Sequence, residues 1–258
     1  MRCVLLQCDP AWQDLPASRR DIESMLASAG DLRGALVVTP EMAESGFTMH
    51  PQNACDGESL AFAATLARRH ECLLHLGYVE RHGTGFRNVT ATVNPAGTTL
   101  LHYAKSHLFS PAGEPHAYTP GRSIALGDLG GLRTSAFICY DLRFPELWRH
   151  AALAGAELLL LSACWPQVRQ AHWRALAIAR AIENQAFVVA CNRVGNEPNA
   201  RYAGGSLVVA PDGEVLAEAG SEKTALFADI DPERVRAWRA KFPALRDAHA
   251  DLLGRFPG

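Results

Sequence analysis

The sequence predicts an α/β protein in which two β-sheets pack face to face and helices cover them. Short apolar runs rich in Val and Leu alternate with longer amphipathic segments, a pattern typical of strands alternating with helices. The strands are too numerous for one simple layer, so two packed sheets are needed to bury them. No linker, repeat or low-complexity tract interrupts this pattern. We therefore expect a single domain over residues 1–258.

The first half of the chain predicts five strands and two helices. In the first helix Ile22, Met25 and Leu26 share one face, and Gly30 stands directly after its end as a stop signal. The sequence NPAG at 94–97 predicts a turn between the last two strands. The strands are expected at 3–8, 35–40, 73–80, 87–94 and 98–105, and the helices at 16–29 and 58–70.

The second half begins with a loop of polar, Pro and Gly residues at 106–122. A helix is predicted over 144–155, with Pro145 as its first residue. The helix predicted over 168–186 is apolar around most of its circumference, which indicates burial between layers or against a second subunit. Strands are expected at 123–127, 132–139, 156–163, 187–192, 205–210, 214–219 and 224–230, and the tail from 232 is helical at first and then irregular.

The composition argues against several classes of partner. Of the 258 residues 48% are hydrophobic, enough for a sizeable core, and the net charge is −2. No cluster of Lys and Arg is dense enough to follow a phosphate backbone, so we expect no nucleic-acid partner. No apolar stretch approaches the roughly 18 residues of a membrane-spanning helix, and Asp9 and Pro10 end the short apolar run at the N-terminus. We expect a cytoplasmic protein without a membrane partner.

Seven cysteines stand at positions 3, 8, 55, 72, 139, 164 and 191. Their number is odd and no C-x-x-C occurs, which is typical of reduced thiols in a cytosolic protein. Neither the cysteines nor the histidines have the spacing of metal ligands, so no metal is expected. A thiol-redox or metal protein would need paired cysteines or Cys/His clusters, which are missing from the sequence.

Three residues with complementary chemistry stand at the ends of predicted strands. Cys139 closes a strand in the stretch FICYDLRFPE, where charged residues follow it directly. Glu41 follows another strand, and Lys105 closes a third. In open α/β sheets ligands collect outside the carboxyl ends of strands, so these three side chains are expected to converge.

These residue types suit nucleophilic catalysis. A thiol needs a base to become a thiolate, and a carboxylate beside it can serve. An ammonium group stabilises the thiolate and then the oxyanion of a tetrahedral intermediate, and the backbone N–H of Tyr140 is a second candidate donor. A lone cysteine at a strand end is more often inert core, so these residues alone leave both interpretations of Cys139 open.

The segments around these residues resemble the nitrilase, or carbon–nitrogen hydrolase, superfamily. TPEM around Glu41, YAKSHLF around Lys105 and ICYDLRFPE around Cys139 occur in the family's order and spacing. The run WPQVRQAHWRALAIARAIENQAFVVACNRVG at 165–195 extends the resemblance, which covers nearly the whole chain. It implies a four-layer α-β-β-α sandwich with Cys139 as the nucleophile. Most other cysteines, Cys164 among them, are expected to be small core residues.

The resemblance also implies a mechanism for amide hydrolysis that needs neither a metal nor an organic cofactor. Glu41 is the general base, and water hydrolyses a thioester formed on Cys139. Lys105 and the N–H of Tyr140 hold the oxyanion. The family often has a second glutamate after the lysine, and Glu114 in PAGEPHAYTPG matches it as a residue that orients Lys105. The alternative is that Glu114 is an exposed loop carboxylate.

The resemblance also points to residues that bind substrate. Arg143 follows the predicted nucleophile by four residues, where relatives acting on carboxylate-bearing substrates, such as carbamoyl amino acid hydrolases, have an arginine. A guanidinium binds a carboxylate bidentately, and a structural pair with Asp141 or Glu146 is an equal alternative. Trp165 and Phe47 are expected to line the pocket wall, although a Trp after a buried strand is often core packing.

Within the superfamily, the run at 165–195 and the segment SGFTM are most similar to omega-amidases. Those enzymes hydrolyse the terminal amide of 2-oxoglutaramate or succinamate to a carboxylate and ammonia, so a small-molecule amide is the expected substrate. The sequence CYD at the nucleophile favours amides over nitriles. Deaminated-glutathione amidase, N-carbamoyl amino acid hydrolase and a catalytically silent scaffold on the same fold are the alternatives.

The helix at 169–184 carries Arg180, Glu183 and Asn184 among small apolar residues. In the family this region helps to pack subunits together. The resemblance therefore implies a homodimer with a self-complementary contact, or a larger assembly.

Overall fold

Two six-stranded β-sheets lie face to face at the centre of the molecule, and helices pack on the outer face of each sheet. The computed structural model describes residues 1–249 of the chain. The expected α/β fold, a four-layer α-β-β-α sandwich, is confirmed. No helix in the described residues is both long and apolar enough to cross a membrane.

Six helices and fourteen strands occupy most of residues 1–249. The helices are α1 Leu15–Ser28, α2 Ser59–Arg69, α3 Glu114–Ala117, α4 Pro145–Leu153, α5 Gln170–Asn184 and α6 Pro232–Lys241. The strands of the first half are β1 Arg2–Gln7, β2 Leu36–Val38, β3 Leu73–His82, β4 Gly85–Val93 and β5 Thr99–Ala104. Those of the second half are β6 Leu126–Leu129, β7 Leu132–Ile138, β8 Leu158–Ala163, β9 Phe187–Asn192, β10 Val194–Glu197, β11 Ala200–Ala203, β12 Leu207–Val209, β13 Val215–Glu218 and β14 Thr224–Asp229.

Each large sheet has parallel strands in its middle. The first sheet has the order β14-β1-β2-β3-β4-β5, and β1, β2 and β3 run parallel. The second has the order β13-β12-β9-β8-β7-β6, and β7, β8 and β9 run parallel. Parallel strands end at the same edge of a sheet, and this edge is where ligand sites form in such folds. The residues that follow β2, β7 and β8 come together there.

Side chains that alternate between the two faces of each strand fill the core on both sides of each sheet. In β1, Cys3 and Leu5 join the cluster between the sheets, whereas Val4 and Leu6 join the cluster under α1 and α2. Successive side chains of a strand point to opposite faces, so a strand that is apolar throughout can serve both layers. Full burial of each such side chain stabilises the fold by about 1.5–3 kcal/mol.

Two predicted segments of the second half differ from the structure. The strand expected at 123–127 begins later, at Leu126, because it pairs with β7 around the turn at Gly130 and Gly131. The loop expected at 106–122 contains the short helix α3. The tail begins with a helix as predicted, and its irregular continuation lies partly outside the described residues.

The helix expected over 168–186 is shorter than predicted, and within the single chain it is buried on one face. In α5 the residues Trp173, Ala177 and Ala181 are buried on one face, while Ile182 on the other side is 50% exposed. Burial of the other face against a second subunit, the alternative given above, stays a prediction. The hairpin β10–β11 was not predicted at all, because its strands are short and polar.

Gly77 in β3 marks the closest approach between this strand and the segment that follows β2. Its N–H donates to Thr39 Oγ1 at 3.1 Å. A Cβ at this position would overlap the carbonyl oxygen of Pro40 and come within 2.9 Å of the Glu41 Cα. Only a glycine therefore allows the backbone before and at Glu41 to lie directly against β3.

Replacing Gly77 by Ala should lower the free energy of unfolding by about 1–3 kcal/mol, since the added methyl group has to displace backbone. Gly85 in β4 offers a matched control, because an added Cβ there would find its nearest neighbour, Thr119 Oγ1, at 3.6 Å. Gly85→Ala should change stability by less than about 1 kcal/mol. Chemical denaturation of the three proteins measures both effects. Equal losses in the two variants would contradict the close approach at Gly77.

Candidate active site

A strained turn after β7 carries Cys139. The strand ends at Ile138, and a 3-10 turn over Cys139–Arg143 leads into α4. Cys139 has a φ of +43°, a left-handed conformation that costs a non-glycine residue roughly 1–3 kcal/mol. Such strain persists only where the surrounding structure holds it, so the contacts around the turn decide its geometry.

The carboxylate of Asp141 holds this turn in place. It accepts hydrogen bonds from the N–H of Ile138 (3.0 Å), the hydroxyl of Tyr103 (2.8 Å) and the N–H of His107 (2.9 Å). The side chain is fully buried among these donors. Sequence reasoning considered Asp141 only as a partner of Arg143 and missed this role, because the donors come from distant parts of the chain.

The ammonium group of Lys105 lies between two buried carboxylates. Lys105 follows β5, and its Nζ donates to Glu41 Oε1 at 2.7 Å and to Glu114 Oε2 at 2.8 Å. All three side chains are fully buried. Glu114 begins α3 and also accepts the N–H of Phe109, so the alternative of an exposed loop carboxylate is wrong. A buried ammonium without such partners would cost several kcal/mol, so the two carboxylates are what allow the charge to be there.

Two further groups orient the Glu41 carboxylate. The side-chain amide of Asn88, in β4, donates to Glu41 Oε1 at 2.7 Å and to Glu114 Oε1 at 2.8 Å. The backbone N–H of Cys164, directly after β8, donates to Glu41 Oε2 at 2.9 Å. Both oxygens of Glu41 are thus held. Asn88 was not predicted, since it stands inside a strand with no sequence signal to distinguish it.

The thiol of Cys139 lies close to the same carboxylate, whose charge acts on it. Burial and the nearby charge of Glu41 raise the pKa of this thiol well above its usual value, against the opposing effect of Lys105. Burial alone would lower the pKa of Lys105, but the charges of Glu114 and Glu41 outweigh it and raise that pKa well above the ordinary value. Burial also raises the pKa of Glu114. The resting site therefore combines a protonated thiol with a charged ammonium.

Cys139 borders a cavity of about 960 Å³. The four residues predicted to contact substrate, Phe47, Tyr140, Arg143 and Trp165, all line this cavity. Other parts of the wall come from the segment after Trp165 and from the β10–β11 hairpin. A concave wall of aromatic rings with a few polar groups is typical of a small-molecule site. No cluster of three or more potential metal ligands was found in residues 1–249.

The guanidinium of Arg143 stacks on the wall of the cavity. Its Cζ lies 4.7 Å from the centroid of the Trp165 ring, and one terminal nitrogen lies 3.2 Å from Nδ1 of His172. In the part of the chain that the structure describes, no ion pair joins Arg143 to Asp141 or Glu146, so the structural pair considered as an alternative does not form there. A role of Arg143 in binding a substrate carboxylate stays a prediction.

A buried ion pair attaches the β10–β11 hairpin to the rest of the cavity wall. The guanidinium of Arg193 is fully buried and pairs with Glu197 and Asp9. Glu197 also accepts the N–H of Phe47 (2.7 Å) and the hydroxyl of Tyr202 (2.7 Å). Through Glu197, the hairpin therefore fixes the loop that carries Phe47, whose ring centroid lies 5.1 Å from the Lys105 ammonium.

Two glycines make room for this ion pair. A Cβ at Gly46 would come within 2.5 Å of a Glu197 carboxylate oxygen, and one at Gly195 would overlap the carboxylate of Asp9. Both glycines have positive φ, +74° and +90°, which side chains rarely adopt. The quoted run at 165–195 contains Arg193 and Gly195, but nothing in the sequence shows which carboxylates the arginine meets.

Comparison with known proteins agrees with this fold and geometry. The sequence profile of the carbon–nitrogen hydrolase family matches residues 4–240. The chain therefore belongs to the carbon–nitrogen hydrolase family, as the motifs around Glu41, Lys105 and Cys139 had predicted.

The chain is similar over most of its length to several members of that family. It is 36% identical over 252 residues to omega-amidase YafV of Escherichia coli K12, with 96% of each chain covered. It is also 36% identical to the 2-oxoglutaramate amidase of Bacillus subtilis strain 168, covering 84% of this chain and 86% of the relative. The crystal structure of XC1258 from Xanthomonas campestris, a CN-hydrolase superfamily protein with an arsenic adduct in the active site, matches with a TM-score of 0.90 at 31% identity, covering 97% of each chain.

Replacing Lys105 by Met should lower kcat for hydrolysis about 10²–10³-fold, because one electrostatic donor to the developing oxyanion is lost. Two buried carboxylates lose their partner as well, so the free energy of unfolding should fall by about 3–5 kcal/mol. Lys223→Met is the control, since Lys223 lies at the surface and is paired with Asp21. Turnover per folded molecule and chemical denaturation measure both effects. A Lys105→Met variant with the kcat of the control would contradict the assigned role.

Proposed function

We propose that this chain is a thiol amidohydrolase that cleaves the terminal amide of a small dicarboxylic acid monoamide, 2-oxoglutaramate or succinamate, to a carboxylate and ammonia. The observation that carries this proposal is the position of Cys139, which borders the cavity while its thiol contacts the Glu41 carboxylate beside Lys105. The names of the two amidases above support the choice of substrate.

The first step forms a thioester. Glu41 takes the proton of the Cys139 thiol as the sulfur attacks the amide carbon, and a tetrahedral intermediate forms. Because the thiol pKa is raised, the proton leaves only as the attack proceeds, with the Glu41 carboxylate beside the thiol to accept it. The Lys105 ammonium and the backbone N–H of Tyr140 stabilise the oxyanion.

The charge balance of the cluster favours this step. In the resting site one ammonium is shared by two carboxyl groups, Glu41 and Glu114. Proton transfer neutralises Glu41, so the Lys105 ammonium is then balanced by Glu114 alone and attracts the new oxyanion more strongly. Asn88 bonds to both carboxyl groups and keeps them in place during the change.

The second step releases the products. Glu41 returns its proton to the departing nitrogen, the C–N bond breaks, and ammonia leaves. A water molecule then gives a proton to Glu41 and attacks the thioester carbon. Collapse of the second tetrahedral intermediate breaks the C–S bond, returns the proton to Cys139 and releases the carboxylic acid. Every proton transfer uses the same carboxyl group, whose two oxygens are fixed by three donors.

The distal carboxylate of the substrate is assigned to Arg143. Its guanidinium borders the same cavity as Cys139 and presents a planar fork of donors beside the Trp165 ring. Phe47 and Tyr140 provide further walls that exclude water from the reacting amide. Deaminated-glutathione amidase and N-carbamoyl amino acid hydrolase activities would use the same first step. They would differ only in the residues of the cavity wall that contact the rest of the substrate. A silent scaffold is disfavoured because Glu41, Lys105 and Cys139 are all present and in contact.

The assembly and location are part of the proposal. The chain forms one domain over residues 1–258 and acts as a homodimer, or a larger oligomer, in the cytoplasm, without nucleic-acid or membrane partners. The support is the outer face of α5, where Ile182 is 50% exposed in the single chain. Light scattering that gives the mass of a single chain would refute the oligomer.

Purified protein should release ammonia from 2-oxoglutaramate and succinamate and not from an aliphatic nitrile, and Cys139→Ala should remove this activity because no nucleophile remains. A panel that adds a carbamoyl amino acid and deaminated glutathione identifies the preferred substrate class. Cys55→Ser is a matched cysteine control, since Cys55 does not border the cavity. Rapid turnover by Cys139→Ala would refute the mechanism. Preference for another member of the panel would refute only the substrate.

A further inference from the structure

Cys139 and Cys164 follow neighbouring parallel strands and stand side by side at their ends. In the register of β7 and β8, Ile138 is opposite Ser162. Cys139 directly follows Ile138, and Cys164 follows Ser162 by two residues, so both cysteines lie just past the ends of β7 and β8 at the same edge of the sheet. Neighbouring strands of a sheet lie about 4.8 Å apart, so the two chain segments that carry the cysteines leave the sheet side by side. Disulfides span Cα separations of about 4.4–6.8 Å.

Both thiols contact Glu41. The Cys139 thiol lies close enough to the Glu41 carboxylate for its charge to act on the sulfur, and the Cys164 thiol donates to the Glu41 carbonyl oxygen at 3.2 Å. Both cysteines also line the cavity, whereas none of the other five cysteines does so. A small reagent that enters the cavity therefore meets a pair of thiols.

We propose that Cys139 and Cys164 form a redox pair, which a small hydroperoxide converts to a disulfide that switches hydrolysis off. This inference rests on the proposed function, in which the Cys139 sulfur is the nucleophile, because a disulfide withdraws that sulfur from the reaction. A disulfide is reduced by thiols, whereas a sulfinic acid is not. The pair thus also protects the nucleophile from permanent oxidation.

The reaction consumes one hydroperoxide. The Cys139 sulfur attacks one oxygen of hydrogen peroxide, the O–O bond breaks, and the thiol proton passes through Glu41 to the departing hydroxide, which leaves as water. Cys139 is now a sulfenic acid. The Cys164 sulfur attacks the Cys139 sulfur, the S–O bond breaks, and the Cys164 proton leaves with the hydroxide as a second water. In sum, two thiols and one hydrogen peroxide give one disulfide and two waters.

The contacts assign the order of these two steps. The Cys139 thiol lies beside a carboxylate that can accept its proton, whereas the Cys164 thiol donates to a backbone carbonyl that cannot. Burial raises the pKa of both thiols, so each stays protonated until a base acts on it. Cys139 therefore reacts first with peroxide, and Cys164 resolves the sulfenic acid.

The test treats wild type, Cys164→Ala and the control Cys55→Ser with hydrogen peroxide and then with dithiothreitol. Hydrolysis is measured at each stage relative to the untreated form of the same protein. Wild type and the control should lose activity and regain most of it. Cys164→Ala should regain less than about a tenth, because its sulfenic acid oxidises further to a sulfinic acid. Non-reducing peptide mapping of treated wild type should find the Cys139 and Cys164 peptides joined, with two hydrogens lost.

Three results would overturn the redox pair. They are inactivation of wild type that dithiothreitol does not reverse, equal recovery in Cys164→Ala, and the absence of the joined peptides after peroxide treatment. Peptide mapping needs no activity, so it also covers a Cys164→Ala variant that fails to fold. Absence of ammonia release from untreated wild type across the whole panel would count against the proposed function, while mapping would still decide whether the two thiols pair.

Discussion

The buried ammonium of Lys105 is the charge on which the rest of the site depends. It is withdrawn from water and balanced by Glu41 and Glu114, which are far apart in the sequence. Burying these charges is favourable only if every partner is in place, so the ends of β2 and β5 and the start of α3 must meet in one arrangement. The same requirement gives the catalytic groups their fixed positions, because a looser packing would leave a buried charge without a partner.

The reactivity of the Cys139 thiol depends on these buried charges around it. A buried thiol next to a carboxylate resists ionisation at rest, so in the proposed mechanism the thiolate forms only together with the new bond to carbon. The strained backbone at Cys139 is the local cost of aiming the sulfur at Glu41, and the hydrogen bonds of Asp141 offset it. The pairing of β7 with β8 places the ends of these two strands side by side, and with them a second thiol.

The strands and the positions of Glu41, Lys105 and Cys139 at their ends were predictable because periodicity and strand ends are local signals. Asn88 was not, since a polar residue inside a strand becomes important only through the side chains that pack on it. The proximity of Cys139 and Cys164 depends on the pairing of β7 with β8, which no spacing along the chain reveals. Which face of α5 packs on the sheet was not predictable, because an alanine-rich segment is apolar on every face.

The hairpin that carries Glu197 and Tyr202 is joined to the rest of the cavity wall by the ion pairs of Arg193, while the reacting groups are carried by other segments of the chain. Shape selection and bond cleavage are thereby assigned to separate pieces of the chain. Insertions, deletions and substitutions at the hairpin tip, Pro198 and Asn199, can then accumulate without changing the reacting groups. The condition is that Arg193 and the two glycines that make room for its ion pairs are retained. New substrate specificities would arise in such a lineage by substitutions in the hairpin part of the cavity wall, while the residues around Cys139 stay the same.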